Sequence, residues 1–366
     1  MKKIVILVDQ MHSHGGIEKL VAIKANYWAE TFGYQVTILS TEQEQKPVIY
    51  QLSSLVKHQD LAINYNRSKS YFSFSNLLKF IKNVIKIQQY LLLEKPNFVL
   101  VASHIPVTYI LPFLFTKAKT IKEFHFTKYY ENHSKSSTKV VDFIESKYDF
   151  LAVLSKEEQQ FYLSKNTIVI PNPIELNSNI EKIDNTQKSN IAIAVLRFAA
   201  VKNIEKMVEI WQQFYQTNKS WKLHIFGTTG NDYFKKIEQL VIENKLQGTI
   251  IFKGQSNTIQ TQLKQAKIML ITSQQECFPM VILESNSCGV PVFSFDCPTG
   301  PRNIINNNIN GVLIEHNNTK QFVEKLNTIA TDNEKLNVLS NNAFENAEKY
   351  NLDTIMNLWK NNIFEN

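Results

Sequence analysis

Short apolar runs alternate along this chain with longer stretches in which apolar residues recur every three or four positions. Ile4-Val5-Ile6-Leu7-Val8 is continuous and apolar, the pattern of a strand buried on both faces of a parallel sheet. Similar runs predict strands at 36–39, 48–50, 98–101, 121–126, 150–154 and 167–170. Between them the spacing predicts helices over 17–32, stopped by Gly33, and over 74–93. The polar stretch 177–189 interrupts the alternation, which then restarts: strand 191–196, helix 204–217, strand 223–226 ending at Gly227, helix 233–244, and strands at 250–252 and 268–271. Two successive βα arrays predict an α/β protein of two Rossmann-like, doubly wound domains facing a central cleft. The expected division is a first domain over 1–176, a linker over 177–189, a second domain over 190–351 and a closing helix over 352–366.

Two of these segments carry finer expectations. On helix 74–93 the apolar face is formed by Leu77, Leu78, Ile81, Val84, Ile85 and Leu92, while Lys79, Lys82 and Lys86 lie elsewhere. Packed on a sheet, the helix would bury that face. Ser155 is followed three residues later by Glu158, the spacing of a capping box.

A length of 366 residues allows two domains with separate cores. The composition, 43% hydrophobic and 20% charged, is that of a soluble globular protein, without the apolar run of about 18 residues that a spanning helix needs. The start, MKKIVILVDQ, reads as a first strand rather than a signal peptide. The expected location is therefore cytoplasmic. The net charge of +7 is uneven: residues 67–139 hold twelve basic against three acidic side chains. Such a patch suits nucleic acid, an anionic membrane surface or an acidic substrate, or serves solubility alone. No nucleic-acid-binding module accompanies it, so nucleic acid is not an expected partner, and peripheral attachment to the inner face of the cell membrane is. Cys277, Cys288 and Cys297 come without a C-x-x-C pair or a matching His pair. Reduced thiols are expected rather than a metal centre.

The densest chemistry lies between Ser273 and Gly300. Pro279 suits the first position of a helix, which would run through Val281, Ile282 and Leu283 and stop at Cys288-Gly289. The N–H groups of Met280 and Val281 at its start favour an anion, phosphate above all. Glu276 precedes this helix and Glu284 lies in its second turn, with seven residues between them. Upstream, Arg197 and Lys202 fall between a strand and a helix. The chain has only three arginines, Arg67, Arg197 and Arg302, among 40 basic residues. An arginine here answers either a need for bidentate phosphate contact or a solvated loop pair. Gly15-Gly16, with Glu18 in the first turn of the following helix, is a place for close backbone approach to a ligand, or a plain turn. His12 and His14 precede it. His104 and His125 fall at predicted strand ends, the edge where α/β proteins bind ligands, although a core or surface role for His125 stays open.

Taken in order, the Phe278-Pro279 pair, the Ser-Cys-Gly-Val-Pro turn at 287–291 and the Pro-Thr-Gly-Pro-Arg run at 298–302 resemble the donor-binding segment of family 4 glycosyltransferases, written E-x7-E. Ile170-Pro171-Asn172 and the Gly15-Gly16 pair with Glu18 resemble two further elements of that family. The chain departs from it at Cys277 and Leu196, where the family usually has glycine. The resemblance covers the second domain densely and the first only at those elements. It implies the GT-B fold, a last helix crossing back to the first domain, and retaining, metal-independent hexosyl transfer from a nucleotide sugar, with UDP as the expected nucleotide.

The family's residue roles carry over as follows. Arg197 and Lys202 would hold the donor diphosphate, Glu276 the sugar hydroxyls and Glu284 the ribose. His125 would touch the donor sugar or its phosphates, and with Glu276, Arg197 and Lys202 it makes up the expected catalytic set. Gly15, Gly16, Phe278, Pro279, Met280 and Val281 would line the donor, with the base near Gly254, and Glu18 and Arg302 would meet acceptor or phosphate. No cofactor is implied beyond the nucleotide-sugar co-substrate. The implied partner is a lipid-linked saccharide acceptor in surface glycan synthesis, as in lipopolysaccharide or capsule. A glycoside hydrolase using Glu276 and Glu284 would leave the phosphate-binding features unexplained. A sugar-nucleotide epimerase of the same fold would need no acceptor groove, and a non-catalytic two-lobed binding protein would need export.

Overall fold

A computed structural model describes residues 1–71, 73–130, 135–176, 184–256 and 258–365. The chain forms two compact units, Met1–Pro173 together with Ile355–Asn366, and Ile174–Thr354. Residues 177–183 of the expected linker, Phe72 and 131–134 of the basic stretch, and residue 366 lie outside the described residues.

The first unit is built on a seven-stranded sheet ordered β3-β2-β1-β4-β5-β6-β7. Its strands are β1 (Lys3–Val8), β2 (Gln35–Ser40), β3 (Val56–Asp60), β4 (Phe98–Val101), β5 (Lys119–Glu123), β6 (Phe150–Val153) and β7 (Thr167–Val169), all paired in parallel. The continuous apolar runs become the central strands, buried throughout in β4 and from the second residue in β1. The edge strand differs. β3 reads Val-Lys-His-Gln-Asp and buries mainly its first residue, so its pattern carries little apolar signal. The strand expected at 48–50 is absent: Ile49 lies in a loop, its N–H bonded to the Met11 carbonyl at 3.0 Å. β5 stops at Glu123, which leaves His125 in the following loop rather than on the strand.

The helix Phe74–Glu94 forms over nearly the expected residues but turns a different face inward. Asn76, Asn83, Ile87 and Leu91 are buried, whereas Leu77, Leu78, Ile81, Ile85 and Leu92 are exposed. The two asparagines explain this. Asn76 accepts from the Asn66 N–H at 2.9 Å and donates to the carbonyls of Asn66 and Ser70, and Asn83 donates to the Tyr65 hydroxyl at 3.1 Å. The Asn76 amide, bonded through both its oxygen and its nitrogen, escapes most of its desolvation cost. The capping box at Ser155 forms by half: its hydroxyl accepts the Glu158 N–H at 3.0 Å, but the Glu158 carboxylate accepts from the Lys128 N–H at 2.7 Å. The helix Lys135–Glu145 was not anticipated. The chain ends in the helix Leu352–Trp359 and a π turn, Lys360–Phe364. The Phe364 ring meets Trp28 at 5.0 Å and Phe98 at 5.1 Å edge-on, and all three side chains are buried.

The second unit carries a six-stranded sheet ordered β10-β9-β8-β11-β12-β13. The strands are β8 (Ile191–Val195), β9 (Lys222–Phe226), β10 (Ile250–Gly254), β11 (Ile268–Ile271), β12 (Val292–Phe295) and β13 (Gly311–Ile314), again all parallel. The helices Ile204–Thr217 and Asp232–Glu243 match the expected spans, and Phe322, Leu326, Leu336 and Leu339 of two further helices, Thr319–Ala330 and Asn333–Glu348, complete the core. The polar character of the segment after 183 has a structural use, since Asn185 donates to Asn337 at 2.9 Å and to Ser340 at 2.8 Å.

Truncating Phe364 to alanine removes the plug between Trp28, Trp359 and Phe98. We expect a loss of about 3–5 kcal/mol, read as faster hydrogen exchange of the β1 and Gly16–Glu30 amides. Unchanged protection would show that the terminal turn contributes nothing to the first unit.

Candidate active site

Each sheet reverses its strand order once, and the loops at the carboxyl ends of the strands flanking that point form a natural crevice. In the second unit the reversal lies between β8 and β11. The loop after β8 carries exposed Arg197 and half-buried Lys202, the latter in a 3-10 turn, Ala200–Lys202. The loop after β11 carries Glu276. Gln274 donates its N–H to the Val201 carbonyl at 2.8 Å, and the Thr272 hydroxyl reaches the carbonyls of Lys202 and Asn203, both at 3.1 Å. The two loops are therefore stitched through their backbones, and Lys202 Nζ lies 2.6 Å from Glu276 Oε1. Ser273 Oγ donates to the same oxygen at 2.6 Å.

A third loop, after β12, closes on the first two. Thr299 Oγ1 donates to the Glu276 carbonyl at 2.9 Å. A Cβ on residue 300 would stand 2.4 Å from Glu276 Cβ and 3.1 Å from its carbonyl oxygen, so glycine is required there by proximity. The same holds at Gly227 after β9, where a Cβ would lie 2.1 Å from the Leu196 carbonyl oxygen. Gly254 ends β10 with φ 68° and accepts the Gly227 N–H at 2.9 Å. Arg302, beyond β12, donates from Nε to Asp296 Oδ1 at 2.8 Å.

The helix after Glu276 spans Met280–Ser287. Pro279 is its N-cap, at φ −68° and ψ 110°, rather than its first helical residue. Its extended ψ ends the preceding loop, and the first-turn N–H groups, Met280 and Val281 among them, have no intrahelical acceptor. Met280 and Val281 are half-buried, while Glu284 one turn on is buried. Phe278 is buried, its ring 5.7 Å from Tyr350, so it anchors the loop in the core. Cys277, Cys288 and Cys297 are buried free thiols. Burial, with Glu276 and Asp296 adding to it, pushes the Cys297 thiol up to about 12, which keeps it protonated.

In the first unit the reversal lies between β1 and β4, where the Asp9 N–H donates to Ser103 Oγ at 2.9 Å. Gly15 caps the helix Gly16–Glu30. Glu18 folds back over this helix start: a Cβ on residue 15 would meet its Oε2 at 2.0 Å, whereas nothing lies within 4 Å of a Cβ on Gly16. Burial, followed by the Asp9 charge, raises the Glu18 carboxyl above its ordinary value against smaller opposing contacts from its own N–H, Gln10 and His125. His14 is exposed with its ring edge-on to Tyr50 at 6.2 Å, and His104 Nε2 lies 3.2 Å from the Tyr109 hydroxyl. His12 is half-buried.

Sequence reasoning missed two charged clusters at this edge. Arg67 donates from Nε to Glu42 Oε2 at 2.5 Å and from a terminal nitrogen to Asp9 Oδ2 at 3.0 Å. Its rarity as an arginine was the available signal. Lys24 and Glu123 form a buried ion pair beside His125, and no local pattern links residues so far apart in sequence. Elsewhere in the first unit a hollow of about 380 Å³ is lined by Lys3, Gln35, Lys57, Tyr90 and Glu94. These residues lie mostly at strand starts, the edge opposite the crevice, so the chemistry and not the hollow marks the site. Among the described residues no group of three or more His, Cys, Asp or Glu is placed to hold a metal ion.

A doubly wound α/β unit with carboxylates, a lysine and a helix N-terminus at its strand reversal is the class that fold and site define. Residues 177–346 match the family model of the glycosyl transferases group 1, and to that extent the chain is similar to this family. It is 22% identical to an uncharacterized glycosyltransferase of Haemophilus influenzae over 98% of this chain and 99% of that one. To the amylovoran biosynthesis glycosyltransferase AmsD of Erwinia amylovora it is 24% identical, over 98% and 99% of the two chains. The fold is that of the Anabaena protein HepE solved with UDP and glucose, with TM-score 0.78, 16% identity and full coverage of both chains. The architecture is thus GT-B.

A methyl group at position 300 tests the three-loop rim. Gly300→Ala should force the loops after β11 and β12 apart and cost about 1–3 kcal/mol, seen as a lower midpoint of thermal unfolding of the second unit. A variant as stable as the parent would show that the loops separate freely.

Proposed function

We propose that the chain is a retaining hexosyltransferase that moves a sugar from a UDP-sugar to a lipid-linked glycan in the assembly of a surface polysaccharide such as lipopolysaccharide or capsule. The observation that carries this reading is the joining of Lys202 and Glu276 across the β8–β11 strand reversal, beside the N-terminus of the helix Met280–Ser287. That arrangement suits a ligand with a diphosphate at one end and hydroxyls at the other. The related proteins act on glycans of this kind: AmsD is named for amylovoran biosynthesis, and a Salmonella typhimurium relative, 28% identical over 70% of this chain, is a lipopolysaccharide 1,6-galactosyltransferase. UDP as the nucleotide is supported by the HepE complex.

In this reading Arg197, Lys202 and the N–H groups of Met280 and Val281 take the diphosphate, Glu284 the ribose hydroxyls and Glu276 the sugar hydroxyls. Gly254 borders the base, and Phe278 and Pro279 shape the loop. His125, Gly15 and Gly16 are further donor contacts and Glu18 an acceptor contact in this reading, and Arg302 steadies the rim through Asp296. The bond between the anomeric carbon and the β-phosphate oxygen breaks as the acceptor oxygen bonds to the same face. The acceptor proton passes to the departing phosphate. Charge growing on that phosphate is what the cations and the helix terminus stabilise, so no metal and no further cofactor is called for. An epimerase would share the donor contacts without an acceptor, and the two differ in whether a glycoside is formed.

The first unit also docks on an anionic bilayer in this reading, placing the enzyme at the inner face of the cell membrane. Leu78 is 75% and Phe115 80% exposed, and paired bonds between Gln88 and the Phe115 backbone, both 2.9 Å, tie the Phe115 loop to the helix that carries Leu78. Lys82 and Lys117 lie in the same basic stretch. Apolar side chains with lysines around them suit insertion at a charged interface, and no described helix is long and apolar enough to cross a membrane.

Replacing Arg197 or Lys202 by alanine should lower turnover of a UDP-sugar about a hundredfold for one lost charge-assisted contact, with EDTA without effect and the anomeric configuration of the product retained by NMR. Parent rates in both variants, or an inverted product, would overturn the assignment. In co-sedimentation, the parent should bind phosphatidylglycerol vesicles more than phosphatidylcholine vesicles and release at high salt, and Leu78→Ser with Phe115→Ser should abolish binding. Equal recovery on both lipids would remove the membrane step alone.

A further inference from the structure

Lys24 meets Glu123, far from it in sequence, and through it His125, beside β5. Lys24, on the helix Gly16–Glu30, is 1% exposed and pairs with both carboxylate oxygens of Glu123. Glu123 is the last residue of β5, with its side chain 4% exposed. On its other side stands His125, whose Nε2 lies 3.3 Å from Glu123 Oε2, close enough for an ion pair but not aligned as a hydrogen bond. Burying two charges costs several kcal/mol for each, and a pair of well-packed apolar side chains would serve the core as well or better. Stability alone therefore does not account for a lysine and a glutamate in this position. What the pair does supply is a fixed, desolvated carboxylate beside the imidazole Nε2.

We propose that Glu123 and Lys24 are positioning residues that hold the imidazole of His125 in place and set its charge. The inference rests on the reading of His125 as a donor contact. Glu123 holds the ring at its Nε2 edge. Lys24, 5.1 Å from the centroid of the Trp359 ring, anchors the carboxylate and offsets part of its charge. Glu18, on the helix that carries Lys24, also interacts with His125, and Asp9 after β1 acts in turn on Glu18. Burial pushes the Glu123 carboxyl up, but Lys24 and then His125 outweigh it and hold the group ionised, well below the usual carboxylate range.

The test follows the His125 ring directly, by the pH titration of its C–H resonances in the full chain, with His125→Gln assigning the signal. Lys24→Met leaves Glu123 unopposed and should raise the titration midpoint by about one pH unit. The double variant Lys24→Met with Glu123→Gln removes both charges, avoids a lone buried ion, and should lower the midpoint below the parent's. The pH dependence of UDP-glucose turnover should move with each midpoint. Midpoints equal to the parent's in the double variant, with the circular dichroism unchanged, would overturn the inference. A shifted midpoint together with parent-like turnover in His125→Gln would instead sink the role of His125 while leaving its coupling to the pair intact.

Discussion

The strand-end rim of the second sheet depends on how closely Gly300 passes Glu276. Only a residue without a side chain lets the loop after β12 lie against the loop after β11, with 2.4 Å left between the position of a Cβ and Glu276 Cβ. Once the backbones are that close, Thr299 can bond to the Glu276 carbonyl, and the carboxylate is confined between Ser273 and Lys202. Lys202 then carries the constraint to the loop after β8. A half-exposed ion pair would do little of this alone. The backbone bonds of Val201, Lys202 and Asn203 to Gln274 and Thr272 hold the loops, and the ion pair only aims two side chains already brought together.

The two units solve the same topological problem with different chemistry. Each sheet is wholly parallel and reverses its order once, which leaves loop ends and helix starts facing one edge. In the second unit that edge presents cations and a helix N-terminus, with its carboxylates partnered or buried. In the first, acidic groups crowd it: Asp9, Glu18, Glu42 and Glu123 all lie at or just beyond strand ends. This is the more basic half of the chain. Three of these carboxylates are partnered there, Asp9 and Glu42 by Arg67 and Glu123 by Lys24.

What could be read from the sequence follows from what each residue touches. β1, β4 and β11 were legible because a strand buried on both faces must be apolar at every position. β3 was not, since an edge strand needs few apolar side chains, and the run at 48–50 misled because its apolar residues cover a loop. The order of motifs located Glu276, Lys202 and Glu284 on one edge because each sits next to its own strand or helix. The Lys24–Glu123 pair and the Arg67 cluster were not legible. They join residues through the sheet rather than along the chain, and a lysine on a helix carries no mark of being buried.

The helix Phe74–Glu94 shows why a helical period predicts an element but not which side faces in. Its apolar stripe is real, yet the core side is the one carrying Asn76 and Asn83. Hydrophobic burial alone would rotate the helix so that Leu77, Leu78, Ile81 and Ile85 met the sheet. That rotation would break the bonds of Asn76 to the Asn66 N–H and to the Asn66 and Ser70 carbonyls and leave the buried Tyr65 hydroxyl without Asn83, the last at about 1–3 kcal/mol for a buried group left unpaired. Lys79 and Lys86 add to the same side by donating to the carbonyls of Asn64 and Leu61. The polar contacts thus fix the rotation. An apolar stripe left in water is a surface with affinity for another apolar phase, so the hydrogen bonds that orient this helix inward also determine what it offers outward.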